Sequence, residues 1–184
     1  MSKEPLKLKK QDEYYTPALL VEPLLQYIKP NSIIWCPFDK KESEYVSILS
    51  KHHTVIHSHI DDGKDFFAYE PKDYDYIISN PPFSLKLKIL KRLYTLNKPF
   101  AMLLGLPILN YQEIGNLFTM NPIQLLIFDK KVSFDGNTAS FNSSYFCNNF
   151  LPKDLIFHSL PHNNSNKHYK ASAMYPQTTH QFSS

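Results

Sequence analysis

The sequence predicts an α/β fold, a layered domain in which strands and helices alternate along the chain. Two observations carry this prediction. Short apolar runs with the length of buried strands recur between segments whose apolar residues have helical spacing. Later in the chain, two apolar runs flank Asp135, Gly136 and Asn137, a combination typical of a hairpin turn. The sheet is therefore expected to be mixed and to end in an antiparallel hairpin.

The first half of the chain contains three predicted strands and two predicted helices. The strands are expected at residues 32–36, 54–58 and 74–79, and the helices at residues 43–51 and 84–96. In the second helix, Leu90, Leu93 and Tyr94 form one apolar face. Ser84 is its candidate N-cap, because a serine hydroxyl can accept a hydrogen bond from a free N–H of the first turn.

The second half continues the alternation and then becomes rich in strands. A helix is expected at residues 110–119, and strands at residues 100–104, 123–128 and 155–157. Residues 132–134 and 144–147 are expected to pair as the hairpin around the Asp-Gly-Asn turn.

Composition indicates one globular domain followed by a tail. The chain has 184 residues, of which 42% are hydrophobic and 14% aromatic, enough to bury a substantial core. We assign residues 1–160 to the domain and residues 161–184, which are polar, to a flexible tail. No apolar run has membrane-spanning length, and the lysine-rich first ten residues lack the apolar stretch of a signal peptide. A cytoplasmic protein with no membrane partner is therefore expected.

Asn80, Pro81, Pro82 and Phe83 directly follow the buried-strand pattern that ends at Ser79. Two prolines fix φ near −65° and favour extended geometry in the residue ahead of each, so the direction of the carbonyl groups is set in advance. The side-chain oxygen of Asn80 and the backbone oxygen of Pro81 could hold the two hydrogens of an exocyclic amine, and Phe83 could stack on its base. The alternative is a plain turn that ends a strand and places a ring in the core.

This block resembles the signature of the N6-adenine methyltransferases, in which Asp, Asn or Ser is followed by Pro, Pro and an aromatic residue. The resemblance implies a Rossmann-like class I methyltransferase, a three-layer sandwich, with S-adenosylmethionine as methyl donor and adenine in nucleic acid as substrate. At a finer level the chain resembles small phage-encoded proteins labelled as adenine methyltransferases. That likeness covers most of residues 12–157 and is carried by residues 14–17, 35–39, 57–60, 63–67, 75–84 and 98–102.

The resemblance also implies residues that hold the donor. Tyr15, Thr16 and Pro17 are similar to the segment that closes over its methionine end. His59 stands where the family usually has an acidic residue for the ribose, with Asp61 and Asp62 displaced from that position. Asp65 and Phe66 are similar to the residues that meet the donor's adenine. After the first strand, Pro37 and Asp39 replace the usual glycine-rich loop.

That glycine-free loop leaves two functions open. Only glycine lets backbone amides approach a ligand closely, whereas Pro37 removes an amide donor and Phe38 adds bulk. The first function is methyl transfer to adenine N6, with Asn80, Pro81, Pro82 and Phe83 as the catalytic group. The alternative is a catalytically inactive protein of the same fold, such as a phage-encoded inhibitor or a nucleic-acid binder.

Charge and size limit the substrate. The net charge of +3 does not by itself predict nucleic-acid binding, and Arg92 is the only arginine, which removes most bidentate readers of guanine. Lysines at positions 86, 88 and 91 could hold phosphate or form a solvated helix face. Because little of the chain lies outside the core, we expect an RNA or single-stranded substrate, relaxed specificity, or a protein partner that recognises the target.

Metal binding is not expected. Cys36 and Cys147 have no metal-site spacing, and Cys36 is predicted to fill the core. His57 and His59 would share a strand face beside His52 and His53, but no cysteine or carboxylate pair completes a site.

Overall fold

The computed structural model describes residues 16–134 and 140–161. Within them the strands are β1 (Ile33–Cys36), β2 (Thr54–His57), β3 (Tyr76–Ser79), β4 (Phe100–Gly105), β5 (Gln124–Phe128), β6 (Val132–Ser133), β7 (Ser140–Phe141), β8 (Ser143–Asn148) and β9 (Leu155–His158). The helices are α1 (Ala18–Val21), α2 (Glu44–Leu49), α3 (Lys86–Leu96) and α4 (Gln112–Met120). Shorter 3-10 turns occupy Glu22–Tyr27, Ile60–Asp62, Phe83–Leu85 and Leu106–Asn110.

Seven strands form one mixed sheet in the order β2-β1-β3-β4-β8-β5-β9. The pairs from β2 to β4 are parallel, and β5 pairs with β9 in parallel. Only β8 runs the other way in this sheet, antiparallel to both β4 and β5. The predicted α/β class is confirmed.

The predicted hairpin is wrong in its pairing. β6 pairs with β7 in a separate two-stranded sheet, whereas β8 lies inside the main sheet, whose two edges are β2 and β9. The reason is burial: Tyr145, Phe146 and Cys147 alternate between the two faces of the sheet and are all fully buried. A strand that is apolar on both faces needs cover on both, which an exposed hairpin cannot supply. The predicted turn at residues 135–137 lies outside the described residues.

The two faces of the main sheet carry separate apolar cores. On one face, Leu20 of α1 and Leu49 of α2 pack with Ile34 of β1. On the other, Leu90 of α3 packs with Trp35, the next residue of β1. Helices therefore cover both faces and make three layers, as successive strand side chains point to opposite sides. Cys36 is fully buried in the first core, as predicted.

The start of α3 differs from the prediction. α3 begins at Lys86, and Leu85 precedes it without a side-chain capping bond, so Ser84 is not its N-cap. Pro82 is extended (φ −61°, ψ 124°), and its carbonyl accepts a hydrogen bond from Leu85 N at 3.1 Å. The prolines thus impose one tight turn before the α-helix can start. At the other end, Asn97 closes α3 in the left-handed conformation with φ 51°.

No helix in the described part of the chain has the length and apolar character needed to cross a bilayer. The predicted tail lies outside the described ranges except for Pro161. The lysine-rich first ten residues lie outside them as well.

Candidate functional site

The polar residues of the site follow β1 and β3, which are neighbours in the sheet. The chain leaves β1 towards α2 on one face and leaves β3 towards α3 on the other. Where connections depart to opposite faces, the carboxyl ends of the two strands border a crevice, and ligands of open α/β sheets bind there. The crevice expected between these strand ends is therefore the candidate site.

The Asn-Pro-Pro-Phe turn borders the crevice from the β3 side. Asn80 directly follows β3 and is half-buried, with its side-chain Oδ1 enclosed by protein. Pro81 and Pro82 are buried. Phe83 is half-buried, because part of its ring packs against the core beneath α3. The two prolines therefore make the turn rigid, and the Phe83 ring anchors it to the core.

Asp39 borders the crevice from the β1 side. Its carboxylate is buried and accepts a hydrogen bond from the hydroxyl of Ser79, the last residue of β3. Burial raises the pKa of Asp39 to about 6, against the opposing effect of hydrogen bonds from Ser79 and Ser43. Asp39 thus joins the loop after β1 to the strand that carries Asn80, and to Ser43, the N-cap of α2.

A pair of buried tyrosines continues this polar group. The hydroxyls of Tyr45 in α2 and Tyr145 in β8 lie 2.8 Å apart. Thr16 is buried, and its side chain lies near the Tyr45 hydroxyl. Burial, with the nearby Asp39 carboxylate as a smaller cause, raises the pKa of both tyrosines well above their ordinary value, so both stay neutral. The predicted residues Thr16 and Asp39 therefore belong to one buried cluster.

The loop after β1 is closely packed. Pro37 is buried, and the Phe38 ring lies 4.9 Å from the ring of Phe66. Phe66 is itself buried, with Trp35 at 5.5 Å and the Arg92 guanidinium at 5.3 Å from its ring. The predicted donor residue Phe66 is thus part of an aromatic stack under this loop.

Residues after β2 form a second polar group. His59 is buried, and its Nδ1 accepts a hydrogen bond from Asp61 N at 3.2 Å. Lys40, from the loop after β1, lies 2.6 Å from the Asp61 carboxylate and holds the pKa of that exposed group below its usual value. Asp65 is half-buried, and its Oδ1 accepts from Phe67 N at 2.9 Å. Of these, Asp61 presents the most accessible carboxylate.

The structure thus brings together only part of the predicted set. Asp39 contacts Ser79, the residue directly before Asn80, and Thr16 lies near Tyr45. Pro17 precedes α1, and Tyr15 lies outside the described residues. His59, Asp65 and Phe66 form a separate stretch after β2.

Four residues of the site were not predicted from the sequence. The sequence predicts Ser79 only as a strand residue, although its position directly before Asn80 is a signal. Lys40 lies in the glycine-free loop after β1, where its charge is the signal. The Tyr45–Tyr145 contact had no sequence signal, because 100 positions separate the two residues.

Metal-ligating side chains do not gather in the described ranges. No group of three or more His, Cys, Asp or Glu residues able to hold an ion is found there, and Cys36 and Cys147 are buried thiols.

No protein-family model matches the chain, and no curated protein sequence matches it.

Proposed function

We propose that this protein transfers a methyl group from S-adenosylmethionine to the N6 amine of adenine in nucleic acid. The observation that carries the proposal is the position of Asn80, Pro81, Pro82 and Phe83 at the carboxyl end of β3, beside β1, where the two chain connections diverge. A crevice in this place is the usual ligand site of an open α/β sheet.

Asn80 and Pro81 supply the chemistry of the acceptor. An adenine amine is a weak nucleophile, because its lone pair is delocalised into the ring. Two oxygens that accept its hydrogens localise that pair. The backbone of Pro81 offers one, and the side chain of Asn80, whose Oδ1 is enclosed by protein, would offer the other after it turns towards the base. Because the prolines hold the backbone of the turn before substrate arrives, the backbone needs little reorganisation during the reaction. The exposed part of the Phe83 ring would contact the flat base.

The donor would lie along the carboxyl ends of β1 and β2. When bound, S-adenosylmethionine supplies an electrophilic methyl group. Asp61 offers an accessible carboxylate for its hydroxyl groups, and Asp65 an oxygen for its amine, so the acidic groups fit. The buried Asp39 organises the loop and would act on the donor indirectly.

The fold supports the proposal at a coarser level. A largely parallel sheet, covered by helices on both faces and interrupted by one antiparallel strand, agrees with a Rossmann-like class I methyltransferase. We infer a cytoplasmic enzyme acting on DNA or RNA that contains adenine, and a protein partner could supply target recognition.

A second function is favoured by one observation. Pro37 is buried and Phe38 packs on Phe66 in the loop where a donor-binding cradle of glycines would be expected. The alternative proposal is therefore a catalytically inactive methyltransferase-fold protein that binds nucleic acid or inhibits another protein, as a phage-encoded inhibitor would.

Calorimetric titration with S-adenosylmethionine separates the two functions. Binding followed by transfer of a labelled methyl group to adenine-containing oligonucleotides supports the enzyme. No heat of binding at millimolar donor would exclude it and leave the binding protein.

The Asn80→Ala variant tests the mechanism. It should bind donor as the wild type does and lose methyl transfer, because one acceptor of the amine is gone. Asn116→Ala, at an exposed position of α4, is the matched control and should keep activity. Full transfer by Asn80→Ala would exclude the proposed role of Asn80.

A further inference from the structure

A groove of about 600 Å³ opens directly beyond the Asn-Pro-Pro-Phe turn, between the first turns of α3 and α4. Residues 84–88 line one side and residues 111–114 the other. Ser84, which directly follows Phe83 in the chain, lines the groove, so one end of the groove lies next to the turn.

Tyr111 forms an aromatic platform at the groove. Tyr111 is 49% exposed, so part of its ring is accessible to a ligand. The Lys86 ammonium lies 5.0 Å from the centre of the ring and also donates to the carbonyl oxygen of Phe83 at 3.2 Å. Lys86 therefore contacts both the Tyr111 ring and the proposed catalytic turn, and links the two.

The charges at the groove favour an anion. Lys86 and Lys88 line it, Lys88 is exposed, and Glu113 is the one acidic residue among the described lining residues. The first turn of α3 contains no acidic residue, and its N-cap makes no side-chain capping bond, so its backbone amides add positive potential. A phosphate is the anion that nucleic acid would bring here.

The contacts of Arg92 bear on whether the groove suits duplex or single-stranded nucleic acid. In duplex DNA the commonest base-specific contact is made by arginine or lysine on the edge of guanine. The guanidinium of Arg92, the single arginine of the chain, lies over Phe66 and donates to the carbonyl of Tyr69 at 3.4 Å, so it is engaged inside the fold. An exposed ring beside lysines instead matches the way proteins hold unpaired bases, by stacking and phosphate contacts.

We propose that this groove binds the single-stranded nucleotides that flank the target adenine, with a base stacked on Tyr111 and its phosphate at Lys88. The inference rests on the proposed function, since it takes Asn80 and Phe83 as the position of the target base. It assigns single-stranded nucleic acid as the substrate class.

Binding of a fluorescent single-stranded oligonucleotide containing adenine, followed by anisotropy at low salt, tests the groove without any transfer reaction. Tyr111→Ala should weaken binding about tenfold or more, because base stacking is lost. Tyr111→Phe is the matched control, since it keeps the ring and should bind as the wild type does. Both variants should keep the wild-type Tm, because the side chain is exposed.

Lys88→Ala should lower the slope of log Kd against log salt by about 0.7, the value for one phosphate contact on a single strand. Lys153→Ala, an exposed lysine ahead of β9, should leave the slope unchanged. Failure of wild-type protein to bind the single strand, equal binding of the matched duplex, or unchanged binding by Tyr111→Ala would each overturn the inference.

The outcome is distinguishable from failure of the proposed function. If Tyr111→Ala weakens binding but the wild type transfers no methyl group, the groove is supported and the enzyme is not. If the wild type methylates adenine and Tyr111→Ala changes neither Kd nor KM, the enzyme is supported and the groove is wrong.

Discussion

The hydroxyl of Ser79 donates a hydrogen bond to the buried carboxylate of Asp39, and this contact joins the ends of two neighbouring strands. Ser79 is the last residue of β3 and directly precedes Asn80, whereas Asp39 lies in the loop that follows β1. The position of the proposed catalytic turn therefore depends on the loop proposed to face the donor.

Ser79→Ala should lower the free energy of unfolding by about 2 kcal/mol at pH 7.5, because it removes a donor from a charged, buried oxygen. The cost should be smaller at pH 4.5, where Asp39 is protonated. Urea denaturation at the two pH values measures both. Ser47→Ala, at an exposed position of α2, is the control and should be near neutral. An equal cost at both pH values would contradict an ionised Asp39.

Asp39→Asn should stabilise the protein above pH 6. The folded-state pKa of about 6 lies above the ordinary value of 3.8, so the folded state binds the proton more tightly than the unfolded state. The stability that Asp39 contributes is therefore complete below pH 3.8 and is lost as pH rises through about 6.

Asparagine carries no charge, so the variant should not lose stability as pH rises. In the wild type this loss is about 3 kcal/mol, the free energy that corresponds to the pKa shift of Asp39. The difference in unfolding free energy between variant and wild type should shrink towards pH 4. Asp73→Asn, at an exposed site, is the matched control for the substitution. A variant that is less stable than wild type at pH 8 would argue against a raised pKa.

Tyr45→Phe and Tyr145→Phe should each cost about 1–2 kcal/mol, because each leaves one buried hydroxyl without its 2.8 Å partner. The double variant should cost less than the sum of the two, since both hydroxyls are then removed together. A double-mutant cycle by thermal or urea unfolding measures the coupling. Strict additivity would mean that the two hydroxyls do not interact.

Phe83→Leu separates packing from stacking at the catalytic turn. Leucine retains most of the apolar contact with the core beneath α3 but presents no aromatic face. We expect a KM for adenine-containing oligonucleotide raised several-fold, with Tm little changed. Phe118→Leu, a ring on the same side of the sheet that stacks on Phe146, should leave KM unaltered. A wild-type KM in Phe83→Leu would remove the stacking role.

Asp61→Asn should weaken binding of S-adenosylmethionine without changing Tm, because the carboxylate is exposed and its ion pair within the described residues is with Lys40. Calorimetry of the variant against Asp73→Asn tests this. Unchanged donor affinity would show that another group contacts the donor.

The strands and helices were largely predictable, and the candidate site was predictable in part. Apolar runs at Ile33–Cys36 and Tyr76–Ser79 are local signals, and both strands occur within two residues of their predicted bounds. Asn80 and Asp39 were both predicted, but their link through Ser79 was not. Phe66 was expected at the donor, and the structure buries it between Trp35 and Phe38. The sequence does not show this burial, because it depends on which apolar side chains of other segments lie close to the loop.

By itself, the sequence determined the α/β class and the rigid turn at the end of β3, because side-chain periodicity and proline geometry act over a few neighbouring residues. Only the tertiary structure decided that β8 enters the sheet between β4 and β5, and that Tyr45 meets Tyr145. Those relationships depend on which distant segments bury one another, and burial is settled by the packing of the whole domain.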